Sequence, residues 1–146
     1  MMLIANISNR GALEALQMSG NRLALVARAG ALQALKYARR YAPQKSGALR
    51  RGIIVMPGIE KSRYVGKAVA EVVMDRAMND VFQRPNAKGH HFYYPASQEY
   101  GFKRRVRGGG TKHVPGKHFM HVASRLEQPD MERMVVELVE DVLGSL

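Results

Sequence analysis

From Arg10 to Tyr41 the chain sets Leu13, Leu16, Leu23, Val26, Ala27, Leu32, Leu35 and Ala38 among Ala, Gln, Arg and Lys, several of them three or four residues apart. That spacing lines one face of a helix, so the fold opens with helical structure. Gly20 and Asn21 interrupt the run, glycine as a stop and asparagine as a cap. The pattern therefore predicts a short helix over about Gly11–Ser19 and a longer one over Asn21–Tyr41. Pro43 ends the second, because proline disfavours helical geometry at the residue before it. Residues 42–47, Ala-Pro-Gln-Lys-Ser-Gly, are then a loop.

The pattern changes directly after that loop. Ile53, Ile54, Val55 and Met56 make a β-type run bounded by Gly52 and Pro57-Gly58, and a second run from Tyr64 to Met74 carries Val65, Val69, Val72 and Val73. The two are expected to pair as a hairpin across Gly58–Arg63. Residues 75–91 show no period and contain Pro85 and Gly89, which predicts a long excursion off the sheet. Phe92-Tyr93-Tyr94 is strand-like, Pro95–Gly101 is a short element, and about 102–114 is expected to be a mobile basic, glycine-rich loop. From Lys117 to Leu143 the chain reads helical, with a break near Pro129-Asp130. Val122, Leu126, Met134, Leu138 and Val142 form its apolar stripe, with the acids mainly opposite. The expected fold is α+β, a small antiparallel sheet packed against a long N-terminal helix and a C-terminal helix. With 146 residues it fits a single domain over 1–146.

Charge separates along this order. The net charge is +11, yet residues 127–146 carry one Lys/Arg against six Asp/Glu. A basic body with an acidic last segment suits either nucleic-acid binding or head-to-tail pairing between copies. The absence of cysteine removes disulfides and cysteine-based zinc sites and suits a protein made in a reducing cytoplasm. The first residues lack the basic flank and apolar core of a signal peptide, and no apolar run approaches the ~18 residues of a membrane span. A soluble protein without membrane contact is expected.

Two motifs about fifty residues apart stand out. The first is Ala38-x-x-Tyr41-Ala42-Pro43-x-Lys45-Ser46-Gly47-x-Leu49-Arg50-x-Gly52-Ile53. The second is Tyr94-x-x-x-Gln98-Glu99-Tyr100-Gly101, followed beyond the basic loop by Pro115-x-x-His118-Phe119-Met120-x-x-Ala123. Together they resemble the head-tail joining (neck or tail-completion) proteins of tailed phages, over about residues 10–143. The motif positions are Pro43, Ser46, Gly47, Leu49, Arg50, Glu99, Tyr100, Gly101, Phe119 and Ala123. The sequence departs from the family pattern at Phe102, where threonine is usual, and at His118 and Val122, where prolines are common. The 75–91 excursion is also longer than usual. The resemblance implies a tail-completion or tail-terminator-like fold and a structural subunit of a homo-oligomeric ring, six copies, at the head-tail junction of the virion. Such a ring completes the neck or tail end, lets the genome pass, and meets head-completion or connector proteins on one side and tail-tube proteins on the other. It implies no enzyme activity and no cofactor.

Residue by residue, Gly47 and Gly101 are positions where φ > 0 or a close approach can require glycine. Arg50 and Arg51 precede the strand on opposite faces, and one of them is expected to pair with an acid such as Glu99. Lys103, Arg104, Arg105, Arg107 and Lys112 are the candidate contacts to a partner or, non-specifically, to genomic DNA in a ring lumen. No DNA-reading motif accompanies them. Among His113, His118 and His121 an i, i+3 pair can share one helix face, but no acidic or cysteine third ligand sits at a suitable spacing, and they read as surface or capping residues. His90, His91, Asp75 and Asp80 lack a recognisable nuclease motif. The nine methionines read as adaptable core and interface filler. The alternative function is a small basic nucleic-acid-binding protein.

Overall fold

In the computed structural model, which describes residues 2–6, 22–56, 60–61, 67–85 and 87–144, the run that Pro43 terminates forms helix α1 (Arg22–Tyr41). The expected helix at 11–19 lies outside the described residues, as does most of the Gly58–Arg63 turn. Beyond Leu23 at its start, the buried face of α1 is built from small residues: Ala27, Gly30, Ala31, Ala34 and Ala38 are all buried, whereas Leu25 and Leu32 face outward. A face this flat lets another helix approach closely. That helix is the last one.

After α1 the chain makes a one-turn helix α2 (Ala48–Gly52), then strand β2 (Ile53–Val55), β1 being Met2–Asn6 at the start of the chain. Strands β3 (Glu60–Lys61) and β4 (Lys67–Met74) follow. β4 is the centre of a small antiparallel sheet. β1 flanks it in the register Leu3↔Ala70, β2 pairs with its far half through Ile54↔Val73, and β3 pairs at Glu60↔Val69. The expected hairpin between the two β runs is thus formed. Along β4, Ala68, Ala70 and Val72 are buried and alternate with half-buried neighbours, the period of two that one covered face imposes. Small side chains again keep the sheet close to the helices.

The excursion has structure of its own. A 3₁₀ turn (Arg76–Met78) leads into α3 (Asn79–Phe82), and strands β5 (Gln83–Pro85) and β6 (His91–Tyr93) form a separate hairpin. Asp75 starts it by accepting the Ala77 N–H at 2.9 Å through its carboxylate, while its own N–H donates to the Gly52 carbonyl at 2.6 Å. Phe82 anchors it. Its ring is fully buried over Gly52, where a Cβ would overlap it, and meets Tyr93 edge-on at 6.0 Å. Burying a phenylalanine contributes roughly 1.5–3 kcal/mol, enough to hold an irregular segment against the body.

Helix α4 (Tyr94–Tyr100) leads into β7 (Gly101–Arg105) and β8 (Thr111–Pro115), which pair from Gly101↔Pro115 to Arg105↔Thr111. The stretch expected to be a mobile loop is therefore a β-hairpin. Only its tip is a turn, with Gly108, Gly109 and Gly110 all at positive φ. The final helix α5 (Phe119–Gly144) is continuous and contains Pro129, so the expected break there is absent. Its buried positions are Phe119, Ala123, Glu127, Met131, Leu138 and Val142. Leu126 lies outside that stripe, and Glu127 lies within it. α5 runs antiparallel to α1: Asp141 near its end is ion-paired to Arg22 at the start of α1, and Met131 and Glu127 close on Gly30. The architecture is α+β, with a long N-terminal helix, small antiparallel sheets and a C-terminal helix.

Candidate interaction surface

The first motif is a device for turning a helix into a strand. Gly47 takes φ 72°. Ser46 accepts the Ala48 N–H through its hydroxyl at 3.4 Å, and Leu49, within α2, is buried. Arg50 donates to the carbonyls of Ala42 (3.3 Å) and Arg40 (3.2 Å), which satisfies the open C-terminal end of α1. Arg39 donates twice to the Ile53 carbonyl, at 2.8 and 3.2 Å. The expected pairing of Arg50 or Arg51 with Glu99 is not made among the described residues. Arg50 is occupied by helix-end carbonyls within its own motif, and Glu99 has a different partner.

Glu99 is buried, and its two carboxylate oxygens accept the backbone N–H groups of Met120 (3.0 Å) and His121 (3.1 Å) in the first turn of α5. A carboxylate there meets both the unpaired donors and the positive end of the helix dipole. The main chain repeats the tie, since Lys117 N–H donates to the Gln98 carbonyl and His118 N–H to that of Glu99. Two glycines make the crossing possible. A Cβ on Gly101, at φ 87°, would overlap the Val114 carbonyl, and one on Gly116 would overlap the Glu99 carbonyl. The two halves of the second motif are therefore one contact. His118 has φ 50°, a value proline's ring forbids, which is a physical reason for histidine at that position in this chain. Val122 donates its N–H to the His118 carbonyl at 2.8 Å, a bond that proline would also lose.

Both motifs border an open cleft of about 610 Å³. Pro43 and Lys45 come from the first motif, Ser97 and Gln98 from α4, Arg84 and Phe92 from the β5–β6 hairpin, and Phe102 and Lys103 from β7, with Tyr94 completing the lining. Three cations and three aromatic rings thus converge with no acid among the lining residues. Phe102, one of the departures from the family pattern, is part of this wall. Of the five cations singled out in the sequence, Lys103 lines the cleft, while Arg104, Arg105, Arg107 and Lys112 are exposed along the β7–β8 hairpin. Arg104 stands directly opposite Lys112, a like-charge pair that is unfavourable unless an anion or an acidic surface meets it. Tyr100 leaves 73% of its surface exposed beside this hairpin and adds little to the core.

Sequence reasoning missed the cleft and, among the described residues, the one carboxyl buried without a hydrogen-bond partner. Glu127 is completely buried between α1 and α5, and neither carboxylate oxygen has a hydrogen-bond partner among the described residues. Desolvation, with a smaller contribution from Asp130, raises its pKa to about 7. Its position four residues from both Ala123 and Met131 was the available signal. Burial likewise pushes the Tyr93 phenol upward. Among the described residues no group of three or more His, Asp or Glu side chains is placed to hold a metal, and no helix is long and apolar enough to cross a membrane. No protein family, curated protein or solved structure matches this chain.

Proposed function

We propose that the chain is a structural virion protein, one subunit of a ring at the head-tail junction of a tailed phage that completes the neck or tail end and lets the genome pass. The observation that carries this reading is how the two motifs are used: the first turns α1 toward the sheet, the second ties Glu99 to the first turn of α5, and residues of both border a common cleft. Around that cleft the chemistry is that of contact, with exposed aromatic rings and cations of one sign. The basic hairpin offers phosphate or acidic-protein contacts, and the acidic segment of α5 offers the complement. Adjacent connector and tail-tube proteins are the partners this role requires, and catalysis is no part of it.

The test is genetic. Phage lacking this chain accumulate filled heads and finished tails that stay apart in negative-stain images, and supplying the chain in trans restores joined, infectious particles. Normal joining and titre without the chain overturn the reading. The second reading, a nucleic-acid-binding protein, draws on the same cations and rings, since stacking aromatics in a basic groove also hold single strands. It requires binding that weakens steeply with salt.

A further inference from the structure

We propose that the cation-lined cleft is the socket for the acidic end of α5 from a second copy of this chain, and that this contact, repeated, builds the ring. The inference rests on the ring reading above and assigns its interface.

The two surfaces lie far apart on the molecule. The cleft lies where α1 ends and α5 begins, because Pro43 and Lys45 directly follow α1 and Glu99, next to Gln98, caps the first turn of α5. The acidic segment lies at the other end of the same helix pair, where Asp141 meets Arg22. At 1.5 Å per residue the 26 residues of α5 extend about 39 Å, and Glu137 is roughly 27 Å from the start of the helix. The two surfaces cannot meet within one chain. Between chains they meet head to tail, a heterologous contact, which builds a closed ring when the rotation between copies closes and a filament when it does not.

Chemistry makes the two ends complementary. Val136, Glu140 and Leu143 fall at i, i+4 and i+7 on one face of α5, and all three are exposed. Val136 and Leu143 leave 54% and 46% of their surface uncovered, more than a helix buried in its own core would leave. Anchors at this spacing are how a helix is held in a groove. The apolar pair matches Phe92, Tyr94 and Phe102, and Glu140 with neighbouring Glu137 matches Lys45, Arg84 and Lys103. A nucleic-acid strand would satisfy the cations of the cleft but would leave Val136 and Leu143 uncovered.

The experiment exchanges the charges. The cleft variant carries K45E/R84E/K103E, and the helix variant carries E137K/E140K, which leaves the Arg22–Asp141 pair intact and gives up only the long, exposed Arg133–Glu137 contact at 3.9 Å. Full-length proteins are followed by sedimentation velocity and native mass spectrometry over a concentration series. Wild type self-associates into a closed oligomer, and each variant alone is monomeric with wild-type circular dichroism. An equimolar mixture regains oligomers containing both chains in equal number, because each reversed cleft now faces a reversed helix. Oligomers of both single variants that match wild type, or a mixture of folded variants that stays monomeric, overturn the interface. So does wild type that remains monomeric while binding oligothymidylate. If the variants assemble like wild type and the chain still joins heads to tails, this interface fails alone; if exchange restores assembly but the chain is dispensable for joining, the neck reading fails alone.

Discussion

Two glutamates on or against the same helix show how position decides what a carboxylate does. Glu99 spends its charge on two backbone donors at the start of α5 and so holds the second motif together. Glu127 has no such partners and is held in the protonated range by burial. Its folded pKa of about 7 lies above the ordinary 4.5, so the folded state keeps a proton that the unfolded chain releases. Stability from this group is therefore complete below the lower value and is lost as pH rises through about 7. E127Q removes that loss: in urea unfolding at pH 5 and pH 8 it should flatten the decline and be more stable than wild type at pH 8 by roughly 2 kcal/mol, with little difference at pH 5. An unchanged pH dependence in E127Q contradicts this account of Glu127. Spacing from Ala123 and Met131 points to a buried position, but a charge argues for a surface one. The acids of α5 read as a solvated face, and only the packed helix pair separates Glu127 from Glu132, Glu137 and Glu140.

Among the elements, β-branched runs bounded by glycine and proline carried the β2–β4 pairing, and periodicity carried the long helices, because one buried face repeats about every 3.6 residues along each. It failed where tertiary contacts outweigh local preference. Pro129 costs α5 roughly 3 kcal/mol in propensity, yet the helix continues because its two halves pack on α1, from Glu127 and Met131 at Gly30 to Asp141 at Arg22. The β7–β8 segment looked like a loop because like charges and glycines dominate it. Its pairing is set instead by Gly101 at one end and the positive-φ glycines at the tip. The cations that sit on it are exposed, so R104E/R105E/R107E should leave the melting temperature of the isolated protein unchanged or slightly raised, since Arg104 no longer opposes Lys112. The same substitutions should abolish the joining of heads to tails in a complementation assay. Undiminished titre would reduce the hairpin to a solvated surface.

For the whole molecule, the charge split visible along the chain becomes a polarity of the folded body. The antiparallel helix pair places the cationic cleft at one end and the acid-rich end of α5 at the other. A sequence shows the imbalance but not this axis, and it cannot show the cleft, whose lining is drawn from Pro43 through Lys103 across five structural segments. The two motifs were legible as motifs. Their meaning as joints needed the structure: Arg50 on the carbonyls that end α1, and the Glu99 contact, which spans twenty-one residues. In the proposed function this body is repeated around the passage between head and tail. The most direct test of that arrangement is cryo-electron microscopy of virions carrying a tagged copy of the chain. The account predicts a ring of six tagged subunits at the head-tail junction, with α1 and α5 resolved as adjacent antiparallel rods and the β7–β8 hairpin directed at a neighbouring protein or the lumen. A neck of complete density containing no copy of this chain contradicts it.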